Sequence, residues 1–197
     1  MTEERGIRAL VFRNRGALLA VPAIALAVFG KPTKRSVAVG LPLAVGGELL
    51  RCWAVGYSGK TTRGDKVTAP RLVTAGPYAH TRNPLYLGNL LTAAGFTIAF
   101  SGGRKPLERA LLGAFGLGTM LAVYATIVPH EEKFLAGTFG DDFADYCTRV
   151  PRVGWRIKPA PFAQGSYDGR TILEAETRTF ATFGAMVAAM LLKASRG

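Results

Sequence analysis

Five apolar segments, separated by charged residues, glycines and prolines, constrain the fold of this 197-residue chain more than any other feature. They span residues 16–30, 36–57, 85–100, 107–128 and 180–192. A helix needs about 20 residues to cross the hydrocarbon of a bilayer, and the second segment supplies that length by itself. Val11 and Phe12 extend the first segment, with Arg13 and Arg15 reaching the membrane interface. The pattern predicts an all-α integral membrane protein with about five transmembrane helices, forming a single domain over residues 1–197.

Composition and charge distinguish a membrane bundle from a nucleic-acid-binding protein. Hydrophobic residues make up 49% of the chain and charged residues only 19%, although the formal net charge is +12. The basic residues flank the apolar segments, as anionic head groups and the positive-inside rule favour. They do not form one basic stripe interleaved with aromatic residues. We therefore expect membrane lipids as neighbours and no nucleic-acid partner.

The distribution of lysine and arginine also predicts the orientation. If all five segments cross, most of the basic residues outside them lie on the same side as the N-terminus, which is then expected to be cytoplasmic. Residues 58–84 and 129–178, the polar stretches with the most unusual side chains, would face the cytoplasm together. Breakers at residues 101–106 predict that the third and fourth segments form an antiparallel hairpin.

The stretch before the third segment combines two helix boundaries with chemically varied side chains. Gly76-Pro77 predicts an extended or turned backbone. Asn83-Pro84 predicts a helix start, with Asn83 as the N-cap and Pro84 in the first turn. A helix start offers unpaired N–H groups and the positive end of the helix dipole to a ligand. Two interpretations follow: half of a cofactor site, or an interfacial cap in which Arg82 binds lipid phosphates.

Two further sets of charged residues allow alternative interpretations. Glu131 and Glu132 follow Pro129 at the end of the fourth segment. If the helix ends there, the carboxylates oppose its dipole, which favours a functional role; if Pro129 starts a new helix, they lie in its favourable first turn. In the second segment, Glu48 and Arg51 share one helical face and can pair, either at a membrane interface or at a functional site.

Neither a metal site nor a disulfide framework is expected. His80 and His130 are the only histidines, and no carboxylate cluster accompanies them at ligand spacing. Residues 154–169 contain prolines, glycines and aromatic residues such as Trp155 and Tyr167. This composition predicts a connection lying on the membrane surface, with a lid over the site as the alternative.

These motifs together resemble the isoprenylcysteine carboxyl methyltransferase family and its relatives among phospholipid methyltransferases, which are small integral-membrane enzymes. The resemblance covers a motif core of about residues 45–155, followed by a less informative C-terminal loop and helix at residues 156–197. It rests on Leu72-Val73-Thr74-Ala75-Gly76-Pro77-Tyr78, Thr81-Arg82-Asn83-Pro84-Leu85-Tyr86-Leu87-Gly88, Glu131-Glu132-Lys133-Phe134-Leu135, Phe139-Gly140, Phe143, Tyr146 and Val150-Pro151-Arg152.

The resemblance implies S-adenosyl-L-methionine as the cofactor and a set of residues that bind it. The implied cofactor contacts are Arg71, Leu72, Val73, Tyr78, Asn83, Pro84, Leu85, Tyr86 and Glu131. Arg152 would brace the site, and no catalytic residue is assigned.

Two departures from the family pattern concern the chemistry of the acceptor. The family often has Arg-His-Pro where this chain has Arg82-Asn83-Pro84, so an acid–base role at that position is lost. In the family that this chain resembles, the carboxyl-methylating members look to have an arginine about one turn before the first glutamate. At that place this chain has Tyr124-Ala125-Thr126-Ile127, which contains no cation. The methyl donor is therefore better defined than the methyl acceptor.

The sequence therefore predicts methyl transfer from S-adenosylmethionine to a lipid-like or prenylated acceptor, by carboxylate O-methylation or amine N-methylation. An amine or hydroxyl must lose a proton, for which His130, Glu132 and Tyr146 are candidate bases. The alternatives are a non-catalytic membrane scaffold or carrier, and a related membrane reductase.

Overall fold

The computed structural model describes residues 2–59, 69–161 and 163–196, and within these ranges it contains helices and loops but no strand. The elements are α1 (Thr2–Phe29), α2 (Lys34–Ser58), a 3-10 helix (Gly76–Ala79), α3 (Pro84–Ser101), α4 (Pro106–Arg149) and α5 (Arg170–Ser195). Residues 60–68 of the predicted cytoplasmic connection, the side chains of Phe12 and Arg13, and Phe162 of the predicted surface loop lie outside the described residues. The all-α prediction is confirmed.

Each predicted segment corresponds to one helix, but α4 is much longer than predicted. It continues through Pro129 to Arg149 and changes direction at Gly140, whose φ of 51° is not helical. A proline inside a helix removes a hydrogen bond and costs about 3 kcal/mol. Burial of the Phe143 and Tyr146 side chains after the proline offsets that cost. The helix therefore neither ends at Pro129 nor starts anew there, and both of these predictions are wrong.

Two of the helices have the length and composition of membrane spans. α2 and α4 are long and apolar enough to cross a bilayer, judged by these two properties alone, whereas the apolar part of α1, Asn14–Phe29, is shorter. α3 and α4 are joined by the short turn that the breakers predict. They pack together where Thr97 lies beside Gly113 and Gly116.

Glycines bring α2 and α3 into direct backbone contact. A Cβ added at Gly40 would lie 2.3 Å from the carbonyl oxygen of Gly95, and one at Gly47 would lie 2.5 Å from that of Gly88. Gly88 also leaves space for Arg51, whose Cγ would be 2.7 Å from an added Cβ. Small residues permit this close approach between membrane helices. The contact fixes the first turns of α3 against the middle of α2.

Gly47→Ala is expected to lower the free energy of unfolding by about 1–3 kcal/mol. The added methyl group would meet backbone atoms of Gly88 and Thr92, which cannot rotate away as a side chain can. Gly46→Ala is the matched control, because nothing lies within 4 Å of a Cβ at that position. Thermal unfolding of both variants in the same detergent measures the difference. Equal melting temperatures would contradict the close contact.

The remaining helices close around this pair at the end of the bundle farthest from the start of α3. α1, α3 and α5 contribute to one apolar cluster that includes Leu26, Phe96, Phe100, Met186 and Met190. The Lys193 ammonium group donates hydrogen bonds to the carbonyl oxygens of Val28 (2.7 Å) and Gly30 (3.2 Å). These bonds fix the end of α5 to the end of α1.

Candidate functional site

One cavity of about 690 Å³ extends from the start of α3 into the helix bundle. Its wall includes every residue that the sequence assigns to cofactor binding, namely Arg71, Leu72, Val73, Tyr78, Asn83, Pro84, Leu85, Tyr86 and Glu131. The fold therefore brings the two predicted halves of the site together. That these residues bind a cofactor stays a prediction.

The start of α3 forms part of the cavity wall. Pro84 lies in the first turn and Asn83 occupies the N-cap position, as predicted. The Asn83 side chain makes no capping hydrogen bond, because its Nδ2 donates to the carbonyl oxygen of Arg152 at 3.1 Å. The prediction of a side-chain cap is therefore wrong. First-turn N–H groups have no partner within the helix, so they can bind a polar or anionic ligand atom.

Tyr86 and Glu131 connect α3 to α4 beside this helix start. The Tyr86 hydroxyl donates a hydrogen bond to Glu131 Oε1 at 2.7 Å. The Tyr86 ring packs against Tyr124, with 4.4 Å between the ring centroids. A carboxylate has more acceptor positions than this one bond uses, so Glu131 can also accept hydrogen bonds from a ligand in the cavity.

Glu132 is held by two guanidinium groups. Its Oε1 accepts from Arg82 Nε at 2.9 Å, and its Oε2 accepts from Arg152 Nε at 2.8 Å. Arg82 also donates to the carbonyl oxygens of Cys147 and Val150, both at 3.1 Å. Both carboxylate oxygens of Glu132 are therefore engaged with arginines, which makes Glu132 unsuited to take a proton from a substrate. Arg82 is engaged within the protein rather than on lipid phosphates, and Arg152 braces the site through Glu132.

Tyr78 forms the wall on the side of the 3-10 helix. Its carbonyl oxygen accepts a hydrogen bond from the Tyr146 hydroxyl at 2.8 Å. Burial raises the pKa of the Tyr78 phenol to about 12, despite the opposing effect of a hydrogen bond with Ser58. The phenol is therefore neutral at physiological pH and can donate a hydrogen bond. Among the described residues that line the cavity, His130 is absent, which argues against it as a base.

The loop at residues 154–169 packs on the segment that carries Arg71. The Gln164 carbonyl oxygen accepts from the N–H groups of Thr74 (2.8 Å) and Ala75 (3.0 Å). The Trp155 ring stacks on His80, with centroids 4.5 Å apart. In the part of this loop that the structure describes, no residue lines the cavity. The loop is therefore a surface brace, and the structure does not support a lid.

A buried charged cluster lies one turn further along α3. Arg51 Nη2 is 2.6 Å from Glu176 Oε2, and Arg51 Nε is 3.6 Å from Glu48 Oε2. Arg51 also donates a hydrogen bond to Asn89 of α3. The Glu48–Arg51 pair is confirmed, and both side chains are largely buried within the protein. We refer to Glu48, Arg51 and Glu176 as the charged triad.

Arg15 of α1 occupies an unexpected position. It lines the cavity and interacts electrostatically with Tyr86, Tyr124 and Glu131. It therefore supplies, from another helix, a cation near the position where α4 lacks one. That Arg15 also reaches the membrane interface stays a prediction. The only signal in the sequence is that this arginine lies next to an apolar segment. That position does not show which way its side chain points.

A helical bundle with membrane-length helices and a partly polar cavity at a helix start defines a small-molecule site within a membrane protein. The family model described as phospholipid methyltransferase matches residues 36–142, more than half of the chain. The chain belongs to the phospholipid methyltransferase family.

Two curated proteins are similar to parts of the chain. The cobalt-zinc-cadmium resistance protein CzcN of Cupriavidus metallidurans is 36% identical over 80 residues, which cover 41% of this chain and 33% of that protein. Protein-S-isoprenylcysteine O-methyltransferase B of Arabidopsis thaliana is 28% identical over 116 residues, which cover 57% of this chain and 55% of that protein. The matched regions thus span about a third and about half of these relatives. No solved structure matches the chain.

Proposed function

We propose that the protein transfers a methyl group from S-adenosylmethionine to a lipid-like or prenylated acceptor in the membrane, at a carboxylate or an amine. One observation supports this proposal most. In a chain of the phospholipid methyltransferase family, the nine residues expected to bind the cofactor line a single cavity. The similarity to an isoprenylcysteine O-methyltransferase adds support for a lipophilic acceptor.

The residues of the cavity suit the proposed cofactor. The volume of about 690 Å³ lies within the range of about 300–1,000 Å³ that is typical of small-molecule sites. Leu72, Val73 and Leu85 offer apolar surface for a purine ring. Arg71 and the N–H groups at the start of α3 suit the cofactor's carboxylate. Glu131 suits its amine or hydroxyl groups.

The protein's own contribution to the proposed reaction is positioning. When bound, S-adenosylmethionine supplies an electrophilic methyl group together with its leaving group. The Tyr86–Glu131 bond fixes α3 to α4 on one side of the cavity, at 2.7 Å. On the other side of the cavity, the bonds from Arg82 and Arg152 to Glu132 fix α4 to the start of α3. Holding both reactants in one orientation contributes strongly to the rate of such a transfer.

The acceptor is proposed to enter from the bilayer. The inner part of the cavity is lined by apolar side chains that include Leu19, Leu26, Phe96, Met120, Phe183 and Met186. We further propose that all five helices cross the membrane within one domain. The N-terminus and the cofactor entrance would then be cytoplasmic, in agreement with the distribution of basic residues.

Binding of S-adenosylhomocysteine to the purified full chain tests this function. We expect saturable binding with one site per chain in isothermal titration calorimetry, and a rise in melting temperature on addition of the ligand. No saturable binding would contradict the proposal and favour a non-catalytic scaffold or carrier. Stabilisation by a nicotinamide cofactor alone would favour a membrane reductase. Incubating membranes with a labelled methyl donor, with and without the protein, then identifies the acceptor.

A further inference from the structure

One side of the cavity is formed by residues 69–75, which we call the wall segment and which belong to neither a helix nor a strand. Residues 69–73 of this segment line the cavity. Among the described residues, only two of its backbone N–H groups donate hydrogen bonds, those of Thr74 (2.8 Å) and Ala75 (3.0 Å), and both donate to the Gln164 carbonyl oxygen. A segment with so few bonds of its own needs support from another part of the chain to keep one conformation.

That support comes from residues 163–168, which we call the strap. Besides accepting the two bonds just described, Gln164 donates its own N–H to the Thr74 hydroxyl oxygen at 2.7 Å. Gly165 follows with a φ of 138°, and a Cβ at this position would lie 3.2 Å from Val73 Cγ1. Glycine permits both this backbone conformation and the close contact. The strap therefore lies directly against the outer side of the wall segment.

Tyr167 fixes the strap to the last turn of α2. Its ring packs on the Tyr57 ring, with 5.5 Å between the centroids, and a Cβ at Gly56 would overlap it. The N–H of Asp168 donates a hydrogen bond to the Gly56 carbonyl oxygen at 2.7 Å. The Tyr57 ring also lies against Gly76, directly after the wall segment, where a Cβ would overlap that ring. The strap thus joins a membrane-length helix to the wall segment.

We propose that the strap sets the affinity for the cofactor by holding the wall segment in place, with Tyr167 as the main positioning residue. The structure describes the whole strap, and none of its residues lines the cavity. It acts through the wall segment, which carries the expected cofactor contacts Arg71, Leu72 and Val73. The strap lies beyond residues 36–142, which the family model matches, so membership of the family assigns it no role. The proposal rests on the methyltransferase function.

Release of the strap should lower the affinity for the cofactor without removing any expected cofactor contact. If Tyr167 leaves α2, the hydrogen bonds of Gln164 lose their support and the wall segment can move out of the cavity. The apparent Kd then rises in inverse proportion to the fraction of molecules in which the wall segment is in place. By linkage, a bound ligand must also keep the strap closed.

Tyr167→Ala in the purified full chain tests the proposal, with Tyr167→Phe as the conservative variant. We expect hydrogen exchange of the Thr74 and Ala75 amides to be about tenfold faster in Tyr167→Ala, with exchange in α3 unchanged because the bundle stays folded. The Kd for S-adenosylhomocysteine, measured by titration calorimetry, should rise about fivefold. Tyr167→Phe keeps the ring that packs on α2 and should match the native chain in both measurements.

Gly56→Ala displaces the same ring from the side of α2 and separates positioning from stability. Alanine favours a helix more than glycine does, so the change should not lower the melting temperature, yet its Cβ would overlap the Tyr167 ring. We expect the same rise in Kd as in Tyr167→Ala. Ile157→Ala is the matched control, because Ile157 belongs to the same loop, lies outside the strap and is 90% exposed. It should change neither the exchange nor the Kd.

Several outcomes would overturn the proposal, and they differ from a failure of the proposed function. Unchanged exchange of the Thr74 and Ala75 amides in Tyr167→Ala would show that the strap does not hold the wall segment. Faster exchange with an unchanged Kd would show that the wall segment does not set the affinity. A lower melting temperature with an unchanged Kd would leave the strap a role in stability alone. If the native chain bound no S-adenosylhomocysteine, the methyltransferase function would fall and the role of the strap with it. If the native chain and Tyr167→Ala bound it equally well, the strap proposal alone would fall.

Discussion

Replacing Glu131 by alanine is expected to weaken S-adenosylhomocysteine binding at least tenfold, which corresponds to about 1.4 kcal/mol. The change removes a carboxylate from the cavity wall and also removes the partner of the Tyr86 hydroxyl at 2.7 Å. Tyr86→Ala should have an effect of at least the same size, because it removes the other half of this contact. Titration calorimetry on the purified variants measures both effects.

The matched control for this prediction is Asp142→Ala. Asp142 is an exposed carboxylate on the same helix and does not line the cavity, so its removal should leave the affinity unchanged. The double variant Tyr86→Phe with Glu131→Gln should lose less binding free energy than the sum of the losses in Tyr86→Phe alone and Glu131→Gln alone. The reason is that the two groups act through one hydrogen bond. Unchanged affinity in both Glu131→Ala and Tyr86→Ala would show that the cofactor binds elsewhere.

Glu132→Ala is expected to have the largest effect on stability, lowering the free energy of unfolding by about 3 kcal/mol. The exposed fractions of the Arg82 and Glu132 side chains are only 12% and 10%, so the change leaves a buried guanidinium without its carboxylate. Two carbonyl oxygens still accept hydrogen bonds from Arg82, which keeps the expected loss at the lower end for a broken buried pair. Denaturant titration in mixed micelles measures the change.

Arg152→Ala is the comparison for this second prediction. Arg152 binds the same carboxylate, but half of its side chain is exposed, and exposed ion pairs contribute about 0–1 kcal/mol. We also expect the double variant Arg82→Met with Glu132→Leu to recover much of the stability lost in Glu132→Ala, since it leaves no unpaired charge. Equal losses in Glu132→Ala and Arg152→Ala would contradict the dominant role of the Arg82–Glu132 pair.

The parts of the fold that could be predicted depend on local rules. Apolar segments predicted the helices, and Asn83-Pro84 predicted where α3 begins, because proline and hydropathy act over a few residues. The continuation of α4 through Pro129 could not be predicted in this way. It depends on burial of Phe143 and Tyr146, which pack against segments far away in the sequence.

The residues of the candidate site also divide into those that the local sequence could predict and those that depend on distant parts of the chain. The motifs were sufficient to place Tyr86 and Glu131 in one site, because their chemistry is unusual at the ends of apolar helices. Glu176 could not be paired with Arg51, since 125 residues separate them and α5 resembles any amphipathic helix. The side chain of Asn83 was assigned to the wrong partner for a similar reason: the carbonyl group of Arg152 reaches it only after α4 folds back.

The uninterrupted course of α4 from Pro106 past Pro129 sets the depth of the candidate site. The axial distance from Pro106 to Glu131 is about 37 Å at a rise of about 1.5 Å per residue, slightly more than the hydrocarbon thickness of about 30 Å. If α4 crosses the bilayer as proposed, with the hairpin turn at one surface, its length places the Glu131 carboxylate at the head-group level of the opposite surface. A thinner bilayer would be matched by tilting of this helix, and the carboxylate would move together with the turn, as parts of one rigid rod.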